Sequence, residues 1–101
     1  MDLRELQERV TKNAQDYSEK YNVKIDKDFA LLKLYEEVGE FAQAMLIHQK
    51  KCRPEKYLRK EDSKEELARE LADVLGMVMV NANLHGIDLM DSMNKKWLNK
   101  E

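Results

Sequence analysis

The spacing of apolar residues along the chain predicts a series of helices. Near the N-terminus, apolar side chains recur every three or four residues, which is typical of a helix over 2–20. A second stripe predicts a helix over 28–48, after a polar segment in which Asp26 and Asp28 are available as caps. We expect that stripe to face the core; it consists of Leu31, Leu34, Tyr35, Val38, Phe41, Ala42 and Met45.

The third helix is predicted to follow a polar connection over 50–60, in which Pro54 disfavours continuous helix. Ser63 followed three residues later by Glu66 is a capping-box pattern, so we expect the helix to begin near Ser63. Gly86 is a natural C-terminal stop. A shorter fourth helix then carries Asp88 as its cap and the apolar residues Leu89, Met90, Met93 and Trp97.

The second half of the third helix is unusually apolar. From Leu71 onward it reads LADVLGMVMVNANL, which leaves few polar positions on any side. A helix of this kind is enclosed by neighbours, and a chain of 101 residues has few helices that can enclose it. We therefore expect a second copy of the chain to cover part of it, in a homodimer or homotetramer.

Length and composition favour one all-α domain over 1–101, a four-helix bundle completed by oligomerisation. Three glycines and one proline leave little room for the turns of a β-sandwich or barrel. A net charge of -2 argues against a nucleic-acid partner, and no stretch has the roughly 20 apolar residues of a membrane span. Cys52 has no second cysteine to pair with, so we expect a reducing, cytoplasmic setting.

Acidic residues on the second and third helices form the strongest candidate site. Glu36, Glu37 and Glu40 fall within roughly 100° of arc on one helix, and Glu70 and Asp73 share a face of the other. If these helices pack side by side, four or five carboxylates converge and repel one another. Mg²⁺ takes oxygen ligands and would offset that repulsion. The alternative is a solvated glutamate face, as on many surface helices.

The position of the second acidic pair favours a functional role. The face that Glu70 and Asp73 open continues into Met77, Val80 and Leu84, which are apolar. Such a face packs against another helix, so the two carboxylates lie at the head of a buried stripe.

These motifs resemble a known family. Residues 36–40 read as EExxE and residues 70–73 as ExxD, within the segments KLYEEVGEFAQA and ELADVLGMVMVNANLHGIDL. Together they are similar to the signature of the MazG-like, all-α nucleoside triphosphate pyrophosphohydrolases, over about 29–99. The resemblance implies hydrolysis between the α and β phosphates, which releases a monophosphate and pyrophosphate. It also implies a need for Mg²⁺, for which Mn²⁺ sometimes substitutes.

The resemblance also implies roles for individual acidic residues. By position, Glu37, Glu40, Glu70 and Asp73 match the metal-binding carboxylates of the family. Glu36 matches the first acid of the motif, and with Glu37 it is a candidate for orienting or deprotonating the attacking water.

Substrate contacts are expected outside the acidic motifs. Lys95 and Asn99 resemble the Lys and Asn of the family's last helix, with Lys96 and Asn94 as alternatives if the alignment shifts by one residue. The alternative for these lysines is an exposed helix end. Asn81 is a candidate for reading a nucleobase edge, with an interhelical hydrogen bond as its alternative. The sequence leaves open whether these aromatic side chains belong to the core or to the wall of a pocket: Tyr17, Tyr21 and Phe29.

One feature departs from the family pattern. Twenty-nine residues separate Glu40 from Glu70, which is long for this family. The excess lies in the connection over 50–60, which is either a cationic lid over a triphosphate or a solvated linker. Its basic residues are Lys50, Lys51, Arg53, Lys56, Arg59 and Lys60.

Two other functions stay open at this point. Phosphoribosyl-ATP pyrophosphohydrolase shares the all-α architecture and the paired acidic motifs. A non-catalytic helical interaction module would carry the same acids as a solvated surface, and neutralising one of them would then be nearly silent.

Overall fold

The computed structural model describes residues 1–98 and consists of helices joined by short connections. The four α-helices are α1 (Leu3–Tyr21), α2 (Lys27–His48), α3 (Lys60–Leu84) and α4 (Leu89–Met93). A 3₁₀ turn lies at Pro54–Lys56, and a π-helical turn at Asn94–Leu98 extends α4. No β-strand occurs among these 98 residues, so the predicted all-α fold class is confirmed.

Short polar side chains begin three of the helices. Asp2, Asp26 and Asp88 each accept a hydrogen bond from the backbone N–H three residues later, which satisfies a donor of the first turn. Asn22 ends α1 in the left-handed region at φ 52°, and Gly86 follows α3 at φ 67°. The sequence therefore located the ends of these helices to within one or two residues.

The predicted start of α3 is wrong by one turn. The helix begins at Lys60, and its cap residue Arg59 makes no side-chain cap hydrogen bond. Ser63 is buried inside the first turn, where its hydroxyl donates to the Lys60 carbonyl at 3.0 Å. The same hydroxyl oxygen lies 2.8 Å from Nδ1 of His48. Contact with α2, rather than capping, therefore determines the role of Ser63.

The second and third helices form an antiparallel hairpin, on which α1 packs. The contact between His48 and Ser63 joins the end of α2 to the start of α3, and Asn81 near the end of α3 donates to the Ala30 carbonyl near the start of α2. The principal contacts of α1 are with α3 and α4. Within residues 1–98, no helix has the length and hydrophobicity that a membrane crossing requires.

The orientation predicted for α2 is wrong for part of its apolar stripe. Leu31, Tyr35 and Val38 are 48%, 69% and 45% exposed. The buried residues of this helix are Ala30, Glu37 and Ala44, which recur every seven positions. Small alanines at this spacing allow α3 to approach closely, and the same packing carries Glu37 into the helix interface.

Candidate metal centre

Four carboxylates converge where the middle turns of α2 and α3 meet. Glu37 and Glu40 lie one turn apart on α2, and Glu70 and Asp73 lie one turn apart on α3. One oxygen from each lies within 4.8 Å of the others. We call this group the carboxylate quartet. Glu37 is buried, Glu40 and Glu70 are partly buried, and Asp73 is exposed, so the group opens to solvent on one side.

The electrostatics of the quartet disfavour full ionisation. Burial, together with the neighbouring charges of Glu40 and Asp73, raises the pKa of Glu37 to about 7. The pKa of Glu70 is also raised, first by burial and then by Glu40 and Asp73. Lys33 lowers the pKa of Glu37 but does not offset these effects. Negative charge therefore exceeds positive charge at this point of the hairpin.

Two buried carboxylate oxygens provide an independent sign of a ligand. Oε2 of Glu37 and Oε2 of Glu70 are buried, and neither has a hydrogen-bond partner among the described residues. Buried acceptors without partners cost free energy and are uncommon in native structures. A donor set made only of carboxylate oxygens is what hard divalent cations bind. The quartet is therefore able to bind a divalent metal ion.

Glu36 lies beside the quartet rather than within it. It is exposed, and Oε1 accepts a hydrogen bond from Nζ of Lys33 at 2.7 Å. The same Nζ is 4.0 Å from Oε1 of Glu37. Lys33 therefore connects Glu36 to the edge of the quartet, and the predicted role of Glu36 at the attacking water stays a prediction.

A cleft of about 620 Å³ lies between α1 and the hairpin and reaches the quartet at Glu37 and Asp73. Phe29 precedes Glu37 by eight residues on α2, and Val80 follows Asp73 by seven on α3, which is about 10–12 Å along each helix. Most of the lining in between is apolar, with Val10, Ala14, Ile25, Phe29, Met77 and Val80. The cleft thus has a charged region and an apolar region, as small-molecule sites commonly have.

Helix α1 contributes lining residues that the sequence analysis missed. Arg9 and Asn13 both line the cleft, and so does Tyr17, whose place the sequence left open. These three residues are four apart, so they occupy neighbouring positions on one side of the helix. The four-residue spacing indicated that these side chains share one side of α1. It gave no reason to place that side near the acidic motifs.

Asn81 is engaged in helix packing. Its Nδ2 donates to the Ala30 carbonyl at 2.9 Å and to the Met77 carbonyl at 2.7 Å. This is the interhelical hydrogen bond that the sequence left as the alternative. A role for Asn81 toward a nucleobase stays a prediction.

The predicted substrate residues of the last helix lie apart from the cleft. Nζ of Lys95 is 3.0 Å from Oδ2 of Asp91, and Lys95 and Lys96 are both exposed. Neither belongs to the lining that the structure gives for the cleft within residues 1–98. Asn99 falls outside the described residues. The roles predicted for all three stay predictions.

The basic connection between α2 and α3 makes its own local contacts. Arg53 pairs with Glu55 at 3.3 Å, and Nε of Arg59 lies 2.9 Å from Asp62 in the first turn of α3. Nζ of Lys50 lies 5.6 Å from the ring centroid of Tyr57. These contacts are those of an ordered, solvated segment, and the lid interpretation stays a prediction.

Comparison with known proteins identifies a family match over most of the chain. The sequence model of the family described as phosphoribosyl-ATP pyrophosphohydrolase matches residues 3–95. A curated relative, "Uncharacterized protein YvdC" of Bacillus subtilis (strain 168), is 37% identical over 62 residues. That alignment covers 59% of this chain and 58% of the relative, so the match spans little more than half of that protein. No solved structure matches the chain.

Proposed function

The chain belongs to the phosphoribosyl-ATP pyrophosphohydrolase family of MazG-like all-α domains, and from that premise we propose that it hydrolyses nucleoside and deoxynucleoside triphosphates. Membership supports a hydrolase acting on acid anhydrides. In the proposed reaction the bond between the α and β phosphates breaks, and a monophosphate and pyrophosphate leave. A role in maintaining the nucleotide pool, in the cytoplasm, is consistent with this chemistry.

One observation carries the proposal. The carboxylate quartet, with its two unpartnered buried oxygens, lies at one region of a cleft whose other lining is largely apolar. A nucleoside triphosphate has a similar division, because its phosphates are charged whereas its base is uncharged and has flat, apolar faces. The match between ligand and cleft therefore extends beyond the acidic motifs.

Glu37, Glu40, Glu70 and Asp73 are the residues we assign to hold Mg²⁺, or Mn²⁺ in its place. Such an ion, when bound, neutralises phosphate charge and lowers the pKa of a water molecule. The chain's own part is to hold these four carboxylates together and to keep the apolar end of the substrate out of water.

Proton transfer in the proposed reaction is assigned to the EExxE motif. The water oxygen forms a bond to phosphorus, the bridging P–O bond breaks, and a proton of the water passes to a carboxylate. Glu36 is our first choice as acceptor, because it faces solvent beside the quartet and is oriented by Lys33 at 2.7 Å. Glu37 is the second. Lys95, Lys96, Asn99 and Asn81 remain candidates for contacts with the phosphates or the base.

Phosphoribosyl-ATP is the second candidate substrate, because the family description names it. Its scissile bond is the same, but it carries a further phosphate on a second ribose, at the end remote from the triphosphate. The apolar lining around Phe29 and Val80 suits an uncharged nucleoside better than a phosphate group. This contrast is why we place ordinary nucleoside triphosphates first.

A second copy of the chain is the partner we propose. The exposed apolar residues of α2 and α3 are too numerous for a stable surface in water, and an isologous dimer would cover them on both chains at once. Those that lie on the hairpin include Leu31, Leu32, Tyr35, Val38, Leu71 and Leu75. A homodimer or homotetramer follows from the proposal.

The test is pyrophosphate release from a panel of nucleoside and deoxynucleoside triphosphates, with dUTP, deaminated and oxidised analogues, and phosphoribosyl-ATP, in excess Mg²⁺. We expect release by the wild type, loss of release in Glu40→Gln, and near wild-type release in Glu65→Gln. Glu65 is the matched control, because it is an exposed glutamate of α3 outside the quartet.

Each other result has a defined meaning. Turnover of phosphoribosyl-ATP alone would replace the proposed substrate while keeping the reaction. Silence across the panel from a folded protein, with no Mg²⁺ effect on its melting temperature, would overturn the enzyme proposal in favour of a non-catalytic interaction module.

A further inference from the structure

We propose that α1 selects the nucleobase, with the side-chain amide of Asn13 as the group that reads the base edge. This inference rests on the proposed function and names a determinant of its specificity. It assigns binding of the two ends of the substrate to different elements: the hairpin for the phosphates and α1 for the base.

The uncharged end of a nucleotide fits the part of the cleft beyond the quartet. A triphosphate bound at Glu37 and Asp73 leaves the remainder of the cleft for the nucleoside. That remainder has an apolar surface on the hairpin, with Phe29, Met77 and Val80, and α1 faces it from the other side. The base therefore has α1 as its neighbour on the open side.

Besides carboxylates, the cleft is lined by polar side chains of two kinds, cations and an amide. Arg9 and Lys33 are cations and suit phosphate oxygens; Arg9 also pairs with Glu5 at 3.1 Å. Asn13 is the amide among these lining residues. An amide presents a donor beside an acceptor, which is the pattern that base edges complement. Its chemistry is thus that of a base contact rather than a phosphate contact.

Helix α1 is held in position by polar contacts of its first turns. Nε of Arg4 lies 2.7 Å from Oδ2 of Asp88, and Nε2 of Gln7 donates to the Ile87 carbonyl at 2.8 Å. These contacts attach the first turns of α1 to the segment after α3. The position of Asn13, two turns further along, is therefore fixed without any help from the quartet.

The aromatic neighbour of Asn13 supports a flat ligand. Tyr17 lies one turn further along α1 and lines the same cleft, with half of its surface exposed. Its ring centroid is 4.9 Å from that of Tyr21, which limits the orientations of the ring. An aromatic surface beside an amide provides both stacking and edge recognition for one base.

The experiment compares kcat/KM for four triphosphates that share one sugar and differ only in the base. For Asn13→Ala we expect a loss of about 10- to 100-fold for the preferred base and less than about threefold for the least preferred, because one base-edge contact is removed. Gln15→Ala is the matched control, since Gln15 is an exposed amide of α1 that does not line the cleft. Its base ranking should equal that of the wild type.

A second variant tests the direction of the effect. Asn13→Asp keeps the shape but removes the donor, so the side chain at this position only accepts hydrogen bonds. We expect kcat/KM for the guanine nucleotide to rise relative to the other three, because guanine presents two adjacent donors at N1 and N2. Gln15→Glu controls for the added negative charge, which would lower all four rates together.

The outcomes separate this inference from the proposed function. If the wild type turns over the panel and Asn13→Ala keeps the wild-type ranking, the inference is overturned and the function stands. If the wild type neither releases pyrophosphate nor binds α,β-imido analogues by calorimetry, the function fails and the inference fails with it. Analogue binding with a base ranking that Asn13→Ala removes would support the inference even without turnover. Circular dichroism confirms that each variant is folded.

Discussion

The two sides of the α2–α3 hairpin differ in polarity, and each arrangement is unfavourable for an isolated chain in water. On the inner side, the carboxylate quartet brings four acids within 4.8 Å of one another, with Glu37 buried. On the outer side, α2 exposes Tyr35, which lies roughly opposite Glu37, together with Leu31 and Val38. Carboxylates are thus partly withdrawn from water on the inner side, while apolar side chains face water on the outer side.

Both arrangements cost free energy in an isolated chain. Carboxylates that are buried together repel and lose hydration, and exposed apolar surface costs about 25 cal/mol for each Å². The small core of buried apolar residues has little to offset either cost; among the described residues it contains Ala30, Ala44, Met79, Val80 and Ala82. Under the proposals made above, a cation would offset the cost on the inner side, and a second chain would cover the apolar surface of the outer side.

The largest expected effect comes from neutralising the inner side at Asp73. Asp73→Asn should lower turnover by at least about 100-fold, because one ligand of the metal loses its charge. In the wild type we expect Mg²⁺ at 100 times its dissociation constant to stabilise the folded state by about 2.7 kcal/mol and so to raise the melting temperature. Asp73→Asn should remove that rise. Calorimetric melting with and without Mg²⁺ measures this directly.

Asp16→Asn is the control for that experiment, since Asp16 is an exposed α1 aspartate paired with Lys12 at 2.6 Å. Without metal, Asp73→Asn should melt at or above the wild-type temperature, because one repulsive charge is gone. An equal Mg²⁺ shift in Asp73→Asn and in the wild type would contradict the metal site.

The next effect concerns the outer side. Leu71 and Leu75 are 53% and 47% exposed on α3, one turn apart. The double change Leu71→Glu with Leu75→Glu should weaken self-association by about 100-fold, since charges in the centre of an apolar interface commonly cost about 2 kcal/mol or more. Light scattering after size exclusion, over a dilution series, measures the assembly.

Leu58→Glu is the matched control, because Leu58 is an exposed leucine of the connection rather than the hairpin. A wild type that is monomeric at every concentration would contradict the proposal of a second copy. In that event the double variant should change only solubility.

A smaller effect is expected from pH on the metal-free protein. Folding raises the pKa of Glu37 from 4.5 to about 7, so the folded state holds a proton that the unfolded state has already released between these values. The free energy of unfolding should therefore fall as pH rises from 4.5 to about 7, and it should level off above that range.

Melting temperatures from pH 4.5 to 8 in the presence of a chelator test this. Glu37→Gln should flatten the curve and raise the melting temperature by a few degrees at the alkaline end. Glu8→Gln, on an exposed position of α1, should leave the curve unchanged. Stability that rises over this pH range would contradict the assignment of a disfavoured charge at Glu37.

Local patterns in the sequence were enough to predict most of the fold. Asp26, Asp88 and Gly86 punctuate helices through their own backbone geometry, so their roles do not depend on distant contacts. Ser63 did depend on one: the nearby His48 draws it into the interface between helices, and α3 begins one turn earlier. A capping pattern cannot show whether another helix competes for its serine.

Hydrophobic periodicity did not predict the buried face of α2 correctly. It assumes that every apolar stripe on a helix packs against the core of its own chain. On α2 the leucines and tyrosine define the strongest stripe, but Ala30, Glu37 and Ala44 are the buried residues. A stripe identifies apolar residues on one face of a helix, and not which of them the same chain covers. Motif spacing predicted that four or five carboxylates converge if α2 and α3 pack side by side, and the family resemblance selected the four that do. The lining of the cleft by Asn13 depended on the tertiary position of α1.

The smallest effect is expected at the basic connection, which belongs to neither side of the hairpin. Glu40 precedes the end of α2 at His48 by eight residues, or about 12 Å along the helix. Charges beyond that distance are largely screened at physiological salt, where the Debye length is about 8 Å. The change Lys51→Gln, Lys56→Gln, Lys60→Gln should therefore lower kcat/KM by less than about threefold.

Ionic strength distinguishes the two interpretations of the connection. As a solvated linker, it leaves kcat/KM of the triple variant within that threefold at both low and high salt. A lid that contacts the triphosphate would be pulled toward the cleft by direct charge pairing, and its removal would cost far more at low salt than at high salt. A steep salt dependence that the triple variant abolishes would therefore show that the connection reaches the inner side after all, and would extend the site beyond the hairpin and α1.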